Sequence, residues 1–185
     1  HASLNPVAEA GGLSPFTTTT RTWDRAWPLK PEVVLEGGNA AKDNLGAVGM
    51  PSLNLLTTHN QPLNRLFTTS NATSAASALC AGMAAQIMAA YPDLRPETVR
   101  ALLVHSAQWS DSMCGMFLPV DRMPNKGDYV HLIRNCGWGT PDLNRALWSA
   151  GDSLTLLVED QVHPYANVPV KGVVTRDMNL HSLPW

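Results

Sequence analysis

The stretch Asn71-Ala72-Thr73-Ser74-Ala75-Ala76-Ser77-Ala78 opens an apolar, alanine-rich run that continues to Tyr91. The run predicts one long helix over residues 74–90, which ends before Pro92 because a proline disfavours helical backbone at the preceding residue. Ser74 would then lie at the helix N-terminus, beside unpaired backbone N–H groups and the positive end of the helix dipole. Both features stabilise an oxyanion that forms next to the serine oxygen. The alternative is that Ser74 only caps the helix.

Further motifs surround this serine in a fixed order. Two motifs lie upstream of it, Ser14-Pro15-Phe16-Thr17-Thr18 and Lys30-Pro31-Glu32-Val33-Val34. Directly downstream lies Ala81-Gly82-Met83-Ala84-Ala85, followed by the run Tyr91-Pro92-Asp93-Leu94-Arg95-Pro96-Glu97-Thr98-Val99-Arg100-Ala101-Leu102-Leu103 with His105-Ser106-Ala107. The last motif is Gly137-Trp138-Gly139-Thr140-Pro141-Asp142-Leu143-Asn144-Arg145-Ala146. Together with Thr73-Ser74-Ala75-Ala76-Ser77-Ala78, they resemble the motifs of the subtilisin-like serine peptidases, or subtilases. The family patterns are F-S-S, K-P-D-V, G-T-S-x-A-x-P, V-A-G-x-A-A, P-x-L-x-P-x-x-V-R-x-L-L and G-x-G-x-v-n/d-x-x-x-A. The shared order over residues 14–146 makes the resemblance specific.

The resemblance implies an α/β fold, with three αβα layers around a mostly parallel sheet. It implies a serine endopeptidase that hydrolyses polypeptide substrates through an acyl-enzyme on Ser74. The backbone N–H of Ser74 would form half of the oxyanion hole, and Thr73 would add a weaker polar contact. This chemistry needs no cofactor, and no dense acidic loop points to a calcium site. Residues 1–185 would form part of one catalytic domain.

Two residues depart from the family pattern. Ala72 stands where the family has glycine, and Ala78 stands where it has proline. The glycine relieves crowding at a tight turn, so we expect Ala72 to have a φ angle that alanine tolerates. Ala78 is compatible with the predicted helix, because alanine is the best helix former.

The catalytic set is incomplete in this chain. A serine hydroxyl is a poor nucleophile until a histidine, oriented by a carboxylate, accepts its proton. In subtilisin the histidine and the aspartate precede the serine by roughly 157 and roughly 190 residues, whereas 73 residues precede Ser74 here. The resemblance therefore implies that the chain is the nucleophile-bearing half and that Asp and His lie in a missing N-terminal half. Alone, the chain should be inactive, and exposed core surface should make it self-associate or unfold easily.

Other polar residues have plainer interpretations. The family's side-chain oxyanion donor, an asparagine, lies roughly 66 residues before the serine. Asn5 is near that distance without the expected small-residue context, and Asn39 follows Gly37-Gly38 at a position more typical of a turn. We expect His105 to be a packed helix residue, His59 to lie in a loop, and Asp24 to be a solvated loop charge.

Composition limits the possible partners and compartments. The net charge of −2 gives no electrostatic reason to expect nucleic acid or an anionic membrane. No run approaches 18 apolar residues, so no transmembrane helix is expected. Cys80, Cys114 and Cys136 form no disulfide framework and favour a reducing, cytoplasmic compartment. Cys114, His131 and Cys136 lack the Cys-x-x-Cys spacing of a zinc site, so no metal is expected.

The sequence leaves one alternative class of protein open and excludes another. A non-catalytic subtilase-like scaffold, in which Ser74 only caps a helix, would bind a peptide or a partner chain. An α/β-hydrolase is excluded because the chain contains no G-x-S-x-G motif.

The remaining pattern predicts the order of secondary structure. Helices should also begin at Pro96 and Pro141, since proline is favoured at the first helical position. The predicted loops are residues 1–29 and 110–128, the predicted strands are Glu32–Leu35, Leu53–Thr57, Leu154–Val158 and Val168–Thr175, and the two further helices run from Pro96 to about His105 and from about Pro141 to Ala150.

Overall fold

The computed structural model describes residues 4–18, 30–151 and 155–182. The chain divides into two units, His1–Thr155 and Leu156–Trp185. In chain order the elements are β1 (Asn5–Pro6), β2 (Ala40–Asp43), β3 (Gly46–Gly49), a 3-10 turn (Pro51–Leu53), β4 (Leu55–Thr58), β5 (Phe67–Ser70), α1 (Thr73–Ala90), α2 (Pro96–Ser106), α3 (Asp111–Phe117), α4 (Lys126–Cys136), α5 (Leu143–Gly151), β6 (Tyr165–Val168) and β7 (Gly172–Thr175).

The strands of the described residues form three small antiparallel sheets. Their orders are β1-β2-β3, β4-β5 and β6-β7. The α/β class is confirmed, whereas the predicted parallel sheet is not shown. The segment of residues 32–35, which was predicted to be a strand, has no regular secondary structure. Its backbone instead bonds to a loop, with the Val34 N–H donating to the Gly139 carbonyl oxygen at 3.0 Å and the Trp138 N–H to that of Glu32 at 2.8 Å.

Helix α1 follows the sequence prediction and is apolar on every side. A helix of this kind belongs in the interior of a protein. Yet Ile87 is its one buried residue within the described structure, and Leu79 and Met88 are exposed. By length and composition alone, α1 is also the single helix in the described ranges that would suffice to cross a membrane.

Two small clusters of buried side chains support the helices of the first unit. Helices α2 and α5 pack against each other and against α1, and the Tyr91 hydroxyl after α1 donates to the Leu147 carbonyl oxygen at 2.8 Å. In the second cluster, burial and then the nearby Cys114 raise the pKa of the Cys136 thiol to about 11, so this thiol stays protonated at neutral pH. The buried apolar residues of the first cluster are Ile87, Val99, Leu102, Leu103 and Ala146, and those of the second are Met113, Leu132 and Cys136.

Residues 110–128 contain a helix, so the prediction of a loop throughout this segment was wrong. Ser110 caps α3, because its hydroxyl accepts the Met113 N–H at 3.1 Å. Helix α4 was not predicted. It begins with a capping box, in which the Asn125 side chain accepts backbone N–H bonds and the Asp128 carboxylate accepts the Asn125 N–H at 2.8 Å. Both starts match known capping signatures that the prolines and glycines nearby obscured.

The Gly137-Trp138-Gly139 motif has a steric explanation. Gly137 has a φ of +56° and Gly139 a φ of +99°, in the region that favours glycine. A Cβ atom on either residue would collide with backbone, of Glu32 in the first case and of Gln108 in the second. Two glycines are therefore needed where this loop meets residues 32 and 108.

The second unit is described over residues 156–182. The predicted strand Val168–Thr175 is instead a hairpin, in which Val168 ends β6 and Gly172 begins β7. Val170, between them, has a φ of +73°. Residues 155–158 of the predicted strand Leu154–Val158 have no regular structure, and Leu154 lies outside the described residues.

Leu132→Ala should lower the free energy of unfolding by about 2–5 kcal/mol, because Leu132 is fully buried against Met113 and Cys136 and its removal leaves a cavity. Leu63→Ala is the matched control. Leu63 is fully exposed, so the change should stay within about 0.5 kcal/mol. Urea unfolding of both variants measures the difference, and equal effects would contradict this assignment of the core.

Candidate active site

The turn before Ser74 has a strained backbone. Helix α1 begins at Thr73, and Ala72 precedes it with φ 78° and ψ 169°. Essentially glycine alone occupies this region, and another residue there costs about 1–3 kcal/mol. The expectation that Ala72 has a φ angle tolerated by alanine was wrong. The turn keeps the conformation that requires the family's glycine, although the glycine itself is absent.

Two buried glycines lie directly against this strained turn. The Ala72 N–H donates to the Gly37 carbonyl oxygen at 2.7 Å. Gly38, with a φ of +81°, lies so close to Asn71 that an added Cβ would be 3.0 Å from the Asn71 Cβ. The Gly37–Gly38 pair thus fixes the path of the chain into α1.

Ser74 is exposed in the first turn of α1, and its hydroxyl makes no hydrogen bond within the described structure. Backbone N–H groups in a first helical turn lack intrahelical partners. The N-cap position belongs to Ala72, and no side chain caps the helix. The alternative that Ser74 serves as the helix cap is therefore not what the structure shows. The hydroxyl and the unpaired N–H are both available to a bound molecule.

A cleft of about 710 Å³ lies beside the N-terminal part of α1. Thr73, Ser77 and Cys80 line it on one face of the helix, and residues 31–39 and 8–14 line it on the other sides. The Ser77 hydroxyl donates to the Thr73 carbonyl oxygen at 3.2 Å, whereas Ser74 is absent from the lining. The described lining contains no histidine, so the cleft supplies no imidazole base.

Glu32 is a carboxylate in the cleft lining that is paired with two cationic side chains. The Arg100 guanidinium Nε donates to Glu32 Oε1 at 2.7 Å, and the Lys30 ammonium lies 3.1 Å from Oε2. The hydrogen bond from Arg100 is the largest cause that holds the pKa of this carboxyl below its usual value. Burial first, and then the charge of Glu32, raise the pKa of the Cys80 thiol. Glu32 is thus a paired carboxylate and Cys80 a protonated thiol at neutral pH.

The described residues among the alternative candidates for oxyanion donor and base have structural roles instead. Asn39 Oδ1 accepts N–H groups of Ala8 and Ala40 at 3.1 and 2.8 Å, and its Nδ2 donates to the Ala8 carbonyl oxygen at 2.8 Å. Both ends of its amide are therefore engaged. His59 Nδ1 accepts the Gln61 N–H at 3.0 Å, which confirms its place in a loop.

His105 lines a separate open depression with Asp142 and Arg145. It is exposed, so the expectation that this helix residue is packed was wrong. Asn5 lies in β1, and Asp24 lies outside the described residues. Within the described residues, no group of three or more His, Cys, Asp or Glu side chains could hold a metal ion.

Comparison with known proteins identifies the family. The subtilase family model matches residues 4–139, so this chain belongs to the subtilase family. An uncharacterised protein, y4bN, of Sinorhizobium fredii is 31% identical over 170 residues, which cover 86% of this chain and 36% of that protein. The chain thus spans little more than a third of the length of this curated relative. No solved structure matches the chain.

The sequence did not reveal that Gly37, Gly38 and Asn54 lie close to the turn before Ser74. Asn54 Oδ1 is buried without a hydrogen-bond partner in the described structure, and an added Cβ on Gly38 would lie 3.3 Å from it. The Gly-Gly pair was interpreted as an ordinary turn, because nothing local indicates that it contacts a residue more than thirty positions later. The family's glycine at the position of Ala72 was the available clue to a demanding turn.

Ala72→Gly should raise the free energy of unfolding by about 1 kcal/mol, because release of about 1–3 kcal/mol of strain exceeds the entropic cost of a glycine, about 0.5–1 kcal/mol. Ala85→Gly, at an exposed position within α1, is the matched control and should lower it by about 1 kcal/mol. Denaturant unfolding of both variants gives the sign of each change in the free energy of unfolding. Destabilisation by Ala72→Gly would show that this turn is not strained.

Proposed function

We propose that this chain is the nucleophile-bearing part of a subtilisin-like serine endopeptidase and that Ser74 is the acylated residue. The observation that carries the proposal is the exposed, unbonded Ser74 hydroxyl in the first turn of an 18-residue helix. The strained backbone at Ala72 supports it, because strain of this kind clusters at active sites. Membership of the subtilase family supports the reaction class.

The reaction follows from the position of Ser74. Its Oγ attacks the carbonyl carbon of a peptide bond while its proton passes to a histidine base. The negative charge forms on the carbonyl oxygen, next to the Ser74 N–H and the positive end of α1. The Thr73 hydroxyl adds a weaker polar contact there. The leaving amine takes the proton from the histidine, and water then hydrolyses the ester to release the second product.

The histidine base and its aspartate lie, in this proposal, on an upstream segment of the protein. That segment also supplies the parallel strands of a three-layer subtilisin-like fold and covers α1. The exposure of Leu79 and Met88 on a helix that is apolar all round supports a missing cover. The greater length of the curated relative supports a longer protein.

The second candidate is a subtilase-like scaffold that binds a peptide or a partner chain without catalysis. The observation that favours it is the alanine at position 72, where the family's glycine would relieve strain. A cleft of about 710 Å³ beside α1 would be the binding surface. The two functions differ in one chemical property, which is the reactivity of Ser74 once the whole domain is present.

A fluorophosphonate probe should add one adduct to Ser74 in a protein extended upstream of residue 1, and none in the present chain, because the histidine base is absent from the latter. Intact mass and peptide mapping measure the adduct. Ser74→Ala should abolish it in the extended protein. Ser77→Ala, one turn further along α1, is the matched control and should retain it, because its hydroxyl is bonded to Thr73 instead.

The extended protein must contain an aspartate and a histidine upstream at subtilase spacing. If it contains them, melts cooperatively and still fails to react, Ser74 is structural and the scaffold function replaces the peptidase.

A further inference from the structure

Asn71 and Ala72 form the turn that leads into Ser74, which we call the serine turn. A short segment, Gly37–Gly38–Asn39, which we call the GGN segment, contacts this turn. Its hydrogen bonds run to three other parts of the chain. The Ser14 hydroxyl donates to the Gly38 carbonyl oxygen at 2.6 Å, and the Asn39 N–H donates to that of Leu53 at 2.8 Å. The Asn39 side chain bonds to the backbone of Ala8 in both directions. The segment is therefore fixed independently of α1.

The GGN segment contacts the serine turn at two consecutive residues. Its Gly37 carbonyl oxygen accepts the Ala72 N–H at 2.7 Å. Its Gly38 is buried, and an ideal Cβ placed there would lie 3.0 Å from the Cβ and 3.3 Å from the Cα of Asn71. Contacts of 3.0–3.4 Å are tighter than nine in ten of those that real Cβ atoms make, so the neighbouring atoms must shift by a few tenths of an ångström. An alanine at position 38 would therefore displace Asn71 and, through it, Ala72.

Alanine does not by itself favour the φ and ψ angles that Ala72 adopts. Alanine in this region of φ and ψ loses about 1–3 kcal/mol, and such strain persists only where the surroundings enforce it. No side chain caps α1. Within the described residues, the hydrogen bond to Gly37 is the one that Ala72 donates, and Gly38 limits the movement of the residue before it.

From this geometry we infer that Gly38 is a positioning residue for the nucleophile. It allows the GGN segment to lie against Asn71, so that Gly37 holds Ala72 in its strained conformation and aims Ser74. The atoms nearest to an added Cβ on Gly38 belong to Asn71 and Asn54, not to Ser74. The inference rests on the proposed peptidase function for its catalytic consequence, and on the backbone contacts alone for its structural part.

The catalytic consequence is tested in the upstream-extended protein. Gly38→Ala should lower the second-order rate of Ser74 phosphonylation at least about 10-fold, because displacement of a catalytic group by about 1 Å costs on the order of 100-fold. Gly172→Ala is the matched control. Gly172 has nearly the same φ, +72°, but nothing lies within 4 Å of an added Cβ, so the rate should be unchanged.

A double-mutant cycle with Ala72→Gly separates positioning from general destabilisation. Glycine at position 72 adopts the turn without strain, so the further effect of Gly38→Ala on the labelling rate should shrink by at least about 3-fold. If Gly38 acted only through overall stability, the two effects would multiply, as they do for uncoupled sites. Multiplying effects, or an unchanged rate in Gly38→Ala, would overturn the inference.

Backbone exchange tests the structural part without any activity. In the upstream-extended protein, amide hydrogen exchange by NMR should show protection of the Ala72 N–H, and Gly38→Ala should speed its exchange at least about 10-fold while Gly172→Ala leaves it unchanged. An unprotected Ala72 amide in the extended protein without these substitutions would overturn the inference even if Ser74 reacts. Protection that is lost in Gly38→Ala, together with an unreactive Ser74 in the extended protein, would instead retain this structural part and reject the peptidase.

Discussion

The hydrogen bond from the Ala72 N–H to the Gly37 carbonyl oxygen, 2.7 Å long, is the contact on which the proposed site depends. It joins the loop that contains Gly37 to the start of α1, and the alanine that donates it occupies a backbone region that belongs to glycine. The turn leads directly into the helix that carries Ser74, and Gly37 and Gly38 also line the adjacent cleft. A nucleophile needs such fixation, because small errors of placement have large effects on rate.

A second constraint is that the apolar surface of helix α1 requires another apolar surface against it. Its sequence is apolar on every side, yet Ile87 is its one buried residue among those described. Hydrophobic surface of this extent is favourable only against another apolar surface. A protein segment that covers α1 and carries the histidine base would satisfy both the helix and Ser74. Under the proposed function, one upstream segment would account both for the exposed apolar surface of α1 and for the absence of a base beside Ser74.

The sequence allowed α1 and α2 to be predicted closely, because an alanine-rich run and a proline at a first helical position are local properties. The family and the place of Ser74 also followed, from the order of several motifs. Helix α4 was missed although its capping box is local. The strain at Ala72 was not predicted: the family's glycine at this position was a clue, but the contacts of Gly37 and Gly38 with the turn join residues that are distant in sequence. Residues 32–35 were predicted to be a strand but bond to a loop near Gly139 instead, because a pattern of apolar residues does not specify a partner.

A crystal structure of the upstream-extended protein after reaction with a fluorophosphonate would test the role of Ser74 directly. We expect phosphorus bonded to Ser74 Oγ and a phosphonyl oxygen about 2.7–3.1 Å from the Ser74 backbone N, where an oxyanion would form. Ala72 should retain a φ near its present 78° in that structure. An adduct on another residue, or a phosphonyl oxygen directed away from the N-terminus of α1, would contradict the assignment of Ser74 as a nucleophile supported by its own helix.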